Sequence, residues 1–224
     1  MDNFQKNKRI HDTRRLITEG KITGLLGARL GIAKAIALTE CDRLPKGAPN
    51  INETPKDADV IRDNAKQIKE SITSGEFKVK THYGGLKGWL RTALALSKAS
   101  KAAGAGNCME QAAYVYCKLY KLGYFPIELI TMEEVPKFHN HGMIVIGLPL
   151  STKPKHRNPR YNQEYLDEYV NAPDAVICDP WMMMLLRKNG TETDGAYTIK
   201  EYIDFTGKYF RNWAITRLHR LEGA

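Results

Sequence analysis

Apolar positions recur every three or four residues in the first half of the chain and gather into short unbroken runs in the second. Between Ile22 and Thr39 the set Ile22, Leu25, Leu26, Leu30, Ala33, Ile36 and Ala37 predicts a helix, weakened by Gly24, Gly27 and Gly31. Packing on the core is the expected use of that stripe, with a membrane-surface helix as the alternative. Arg43 to Pro55 carries three prolines and reads as a loop or linker. Asp57 to Ile72 is amphipathic through Val60, Ile61, Ala65, Ile68 and Ile72, with Gly75 stopping it, and Leu86 to Ala99 repeats the pattern through Leu90, Ala93 and Leu94.

The turn Gly104-Ala105-Gly106 then leads into a helix from about Asn107 to Leu122, closed by Gly123. Three apolar runs, Phe125–Ile130, Met143–Leu148 and Ala175–Cys178, are bounded by Pro, Gly and Asn and predict buried strands. A basic, Pro-containing insertion, Ser151 to Pro173, separates the second run from the third, with a helical turn expected around Glu164–Tyr169. Thr198 and Glu201 have the spacing of a capping box and start a short helix. The expected fold is α+β: a helical N-terminal half, then one long helix packed on a small antiparallel sheet. Residues 1–75 are expected to form a helical, partly mobile N-terminal region, and residues 76–224 the domain that carries the chemistry.

Composition narrows the class. The chain has 224 residues, 42% of them hydrophobic and 26% charged, enough for one sizeable core without disulfide staples. No apolar run is long enough for a spanning helix, and MDNFQKNKRIHDTRR lacks the apolar segment of a cleaved signal peptide. Cys41, Cys108, Cys117 and Cys178 fit neither a zinc ribbon nor a disulfide framework, so free thiols in the producer's reducing cytoplasm are expected. The net charge is +9, more than half of it within residues 1–50. No nucleic-acid-binding signature accompanies this charge, so nucleic acid is not the expected partner. A solvated basic surface, or attraction to an acidic protein, accounts for it.

Three segments carry candidate chemistry. In Gly106-Asn107-Cys108-Met109-Glu110-Gln111-Ala112 a cysteine falls in the first turn of a helix, where unpaired N–H groups and the dipole favour the thiolate that attacks carbonyls. A cysteine so placed can also be a small core residue. In Phe138-His139-Asn140-His141 the second histidine stands at the head of a buried strand, rigid enough to take a thiol proton and return it to a leaving group. The alternatives are a loop that caps the strand, or zinc, for which no further Cys/His ligand pair with the usual spacing is found. In Val176-Ile177-Cys178-Asp179-Pro180-Trp181 a carboxylate ends an apolar strand. That is costly unless an imidazolium pairs with it, while Asp-Pro alone can simply start a turn. Trp181 is placed to cover the His–Asp pair from water.

These three segments, GNCMEQA, HGMIVIG and VICDPW, resemble the papain-like and transglutaminase-like Cys-His-Asp superfamily. The likeness spans roughly residues 100–185 and is greatest to its bacterial toxin and effector branch, YopT-type cysteine proteases and the glutamine-deamidase domains of dermonecrotic toxins. The resemblance implies a papain-like fold with Cys108 as nucleophile, His141 as general base and Asp179 as its orienting acid, with neither cofactor nor metal. It also implies a protein substrate and export into a host cytosol by a non-classical route. One departure is that papain-like proteases carry an oxyanion glutamine several residues before the cysteine, where this chain has Ala102-Ala103-Gly104-Ala105. The Cys108 N–H supplies one oxyanion donor, and Asn107, Gln111 and Asn140 are candidates for the second. Glutamine deamidation is the expected reaction, with proteolysis and then transglutamination as alternatives. A binding module that kept a degenerate papain-like fold is the non-enzymatic reading.

Overall fold

The computed structural model describes residues 25–44, 89–104, 106–134, 140–148, 172–206 and 213–221, together with Asp63, Lys66 and Glu70. Its elements are helices α1 (Leu25–Arg43), α2 (Trp89–Ala103) and α3 (Cys108–Leu122), strands β1 (Ile127–Glu134), β2 (Asn140–Ile146) and β3 (Val176–Cys178), helix α4 (Pro180–Lys188), strand β4 (Ala196–Thr198), helix α5 (Ile199–Thr206) and strand β5 (Trp213–Leu221). The fold is α+β, and every strand pairing is antiparallel, in the order β4-β3-β2-β1-β5. Among the described residues five strands stand where the apolar runs predicted three. The two additional ones escaped because Ala196–Thr198 is too short for a period, and because basic residues interrupt Trp213–Leu221. β1 also runs on past Ile130 through Thr131 and Glu134, since β2 and β5 pair with it on both sides.

The two-residue alternation along β2 sorts its side chains between two cores. Ile144 and Ile146 join Ile127, Leu129, Val176 and Cys178 beneath α1, α2 and α3. Met143 and Val145 join Ile130, Met132 and Ile177 on the other face, where Met182, Leu186, Ile199 and Tyr202 of α4 and α5 cover them. The stripe of α1 is used for core packing: Ile32, Ala33, Ile36 and Ala37 are buried in the first of these cores. This helix of the expected N-terminal region 1–75 shares its core with the sheet. Arg29 of the same helix donates to the carbonyls of Gly147 (3.4 Å) and Asp174 (2.6 Å), holding together the two chain segments that flank the basic insertion.

The caps follow the sequence closely. Gly123 takes φ 72° at the end of α3, where its N–H donates to Tyr120 O, and the Tyr124 N–H reaches Leu119 O. Thr198 and Glu201 exchange hydrogen bonds at the start of α5: the Glu201 N–H donates to Thr198 Oγ1, and the Thr198 N–H to Glu201 Oε2. In the expected helix Asp57–Ile72, Asp63, Lys66 and Glu70 are helical, and the rest lies outside the described residues. The Glu164–Tyr169 turn and all of the insertion before Ala172 lie outside them too. No described helix is long and apolar enough to cross a membrane.

Candidate active site

The position of Cys108 is built by the first turn of α3. Asn107 is its N-cap; its side-chain oxygen accepts from the N–H groups of Met109 (3.0 Å) and Glu110 (3.4 Å). Glu110 reaches back to accept from the Asn107 N–H at 3.0 Å, completing a capping box, and the Gln111 N–H donates to Asn107 O. Those bonds leave the N–H of Cys108 as the one in this turn with no acceptor among the described residues. Two glycines allow the helix to approach its neighbours. A Cβ on Gly106 would lie 2.9 Å from Glu110 Cβ, and one on Gly142 of β2 would lie 3.4 Å from Met109 Cα.

Cys108 is 7% exposed. Its thiol donates to the carbonyl of Asn140 at 3.5 Å, at the head of β2. The next residue is His141, 1% exposed, whose Nε2 donates to Asp179 Oδ2 at 2.6 Å. Cys108 lies near enough to the imidazole to contribute to its electrostatics. Burial alone would lower the His141 pKa. The charge and hydrogen bond of Asp179, with a contribution from Cys108, outweigh it and push the value up to about 10. At neutral pH His141 is therefore an imidazolium, with both ring nitrogens as donors.

Asp179 has no exposed surface and is held on every side. Its backbone N–H donates to Gly195 O at 2.9 Å, tying it to the turn before β4. The Asp-Pro pair begins a helix, not a turn as the alternative reading had it: Asp179 is the N-cap of α4, and its Oδ1 accepts from the Met182 N–H at 3.0 Å. Oδ2, already bonded to His141, also accepts from the hydroxyl of Tyr202 at 2.7 Å. Tyr202 was not foreseen, because an apolar-faced tyrosine in a short capped helix looks like core packing. Nothing local in the sequence links it to a carboxylate 23 residues away.

The supporting residues take different places. Trp181 lies against His141 with ring centroids 4.8 Å apart. Asn107 spends its side-chain oxygen on the helix cap. Asn140 offers its carbonyl to the thiol, with its side chain exposed. Gln111 is buried beneath the first turn of α3, its amide donating at 3.4 Å to Gly106 O and at 3.5 Å to Met184 Sδ. His139 lies outside the described residues. No group of three His, Cys, Asp or Glu among the described residues is placed to hold a metal ion. A cavity of about 990 Å³ lies elsewhere, between α1, the loop after α4 and α5, lined by residues that include Lys34, Arg187, Asp194 and Phe205. None of Cys108, His141 and Asp179 lines it.

Compared with models of known families, with characterised proteins and with solved structures, the chain finds no match.

Proposed function

We propose that this chain is a thiol amidohydrolase working through Cys108, His141 and Asp179, and that its substrate is the side-chain amide of a glutamine in a protein. The reading is carried by one observation: an imidazole hydrogen-bonded to a buried carboxylate at 2.6 Å and interacting with a cysteine at a helix start. In this mechanism the Cys108 thiolate, paired with the His141 imidazolium, attacks the amide carbon, and the developing oxyanion is met by the Cys108 N–H. The His141 imidazolium gives its proton to the departing nitrogen, so that ammonia leaves and a thioester remains. The neutral imidazole then takes a proton from water, whose oxygen attacks the thioester carbon. Glutamate is released as the sulfur leaves, and the thiolate–imidazolium pair is restored. Asp179 keeps the ring oriented and compensates its charge throughout.

Deamidation is favoured over proteolysis by the depth of the nucleophile. At 7% exposure, Cys108 suits entry of a single side chain better than an extended backbone. The strand beside it, β2, is in the middle of the sheet, not at an edge where a substrate strand could add. The likeness of the three segments to toxin deamidases supports the same choice and implies action on a host protein. The basic run Lys153-Pro154-Lys155-His156-Arg157 would then supply salt-sensitive contacts to an acidic partner.

Mass spectrometry of host-cell lysate treated with the wild type and with Cys108→Ala tests this. A peptide that gains about one dalton at a glutamine, only with the wild type, is the expected product of amide hydrolysis. New peptide termini would make the enzyme a protease, and amine-labelled or crosslinked glutamines a transglutaminase.

A further inference from the structure

We infer that Tyr202 is a positioning residue of this site, fixing the carboxylate that orients His141 through the oxygen atom the two share. The inference rests on the thiol-enzyme reading above. Asp179 Oδ2 accepts from His141 Nε2 at 2.6 Å and from the Tyr202 hydroxyl at 2.7 Å, while Oδ1 accepts from the Met182 N–H at 3.0 Å. His141 and the Met182 N–H each hold one oxygen of the carboxylate, so a small turn of its plane strains both bonds. A third donor, from a different element, restrains Oδ2 further and shares it with the imidazole. Tyr202 is itself immobilised. It has no exposed surface, its ring meets Tyr197 edge-on at 5.5 Å, and α5 is anchored by the Thr198–Glu201 capping box.

The hydroxyl is a permanent donor, because burial and the charge of Asp179 hold its pKa well above the ordinary range. The groups that face it are Asp179 ahead of α4, His141 on β2, Cys108 on α3 and Tyr197 on β4. The Tyr197 hydroxyl is engaged elsewhere, accepting from Thr193 Oγ1 at 2.9 Å. Tyr202 therefore does two things to the pair. It sets the direction of the Asp179 oxygen, and it draws off part of the charge that oxygen presents to the imidazolium.

Tyr202→Phe keeps the ring and removes only the hydroxyl. The measurement is the pH titration of the His141 ring by NMR in a Cys108→Ala background, where the thiol no longer titrates with it. With one donor gone, Oδ2 holds the imidazolium more tightly. The titration is expected to move upward by roughly half a pH unit to one unit. Tyr197→Phe, which alters the same aromatic pair without touching Asp179, is expected to leave it in place. An unmoved or lowered titration in Tyr202→Phe overturns the inference, whatever happens to thermal stability. The thiol-enzyme reading is tested separately, by iodoacetamide labelling of the protein with Cys108 intact. Labelling of Cys108 no faster than that of Cys117 and Cys178 would overturn that reading and the inference with it.

Discussion

A carboxylate with no exposed surface costs several kcal/mol unless its charge is met, and Asp179 meets it with one imidazolium, one hydroxyl and one backbone N–H. This arrangement makes the three side chains of the site unequal under substitution. His141→Ala removes both the proton carrier and the cation that Asp179 faces, so turnover is expected to fall by about 10²–10⁴-fold, the usual loss for a general base. His139→Ala is expected to leave most of the activity. Turnover of a deamidated substrate, read as ammonia release, checks both, and the reverse ranking would move the site to His139. Cys108, His141 and Asp179 were legible in the sequence because each ends or begins an apolar segment whose burial the composition already implied. Tyr202 was illegible for the opposite reason. Its only functional feature is the direction of one O–H bond, and that direction depends on how α5 packs against the start of α4.

The site is assembled from three ends of elements, the start of α3, the head of β2 and the N-cap of α4, backed by the middle of the short α5. Ends are where backbone donors are left over, and α3 uses its own capping box to occupy those beside Cys108, whose N–H has no acceptor among the described residues. The cap works only if α3 can begin where it does, and this depends on Gly106. A methyl there would meet Glu110 Cβ at 2.9 Å and Leu44 at 3.3 Å, so the first turn must shift. Gly106→Ala is therefore expected to cost about 1–3 kcal/mol, the range for overpacking a filled site, and to slow alkylation of Cys108 by displacing it from His141. A urea midpoint and an iodoacetamide rate measured on the same sample decide this; an unchanged rate would show that the turn tolerates the methyl in place. Element recognition from the sequence succeeded where a period ran for several turns, as in α3, and where a cap had its own motif, as in α5. It failed for α4, whose Trp181 and Met182–Met184 run shows no clear helical period next to a residue pair that usually marks a turn.

His141 and Asp179 are 38 residues apart and come together only because β2 and β3 pair between two cores, so their interaction belongs to the folded chain alone. The proton on His141 is consequently linked to global stability. In the folded protein the group titrates at about 10, against 6.5 for an unperturbed histidine. Below pH 6.5 both folded and unfolded chains hold the proton, and the ion pair contributes fully to stability. Between 6.5 and 10 the unfolded chain has released it while the folded chain keeps it, so unfolding releases a proton and stability falls as pH rises. Asp179→Asn removes the charge that raises the pKa and should flatten this dependence, although it lowers stability at neutral pH. Urea midpoints of the two proteins at constant ionic strength, from pH 6 to pH 9.5, provide the comparison. The range stops below the ordinary tyrosine pKa of about 10, so tyrosine ionisation in the unfolded chain enters only near its upper end. A wild-type midpoint that falls steadily across this range, against a nearly level one for Asp179→Asn, is the expected result. Parallel curves would mean that the imidazolium–carboxylate pair is not formed by folding, and the mechanism would then lose the charged histidine on which its first proton transfer depends.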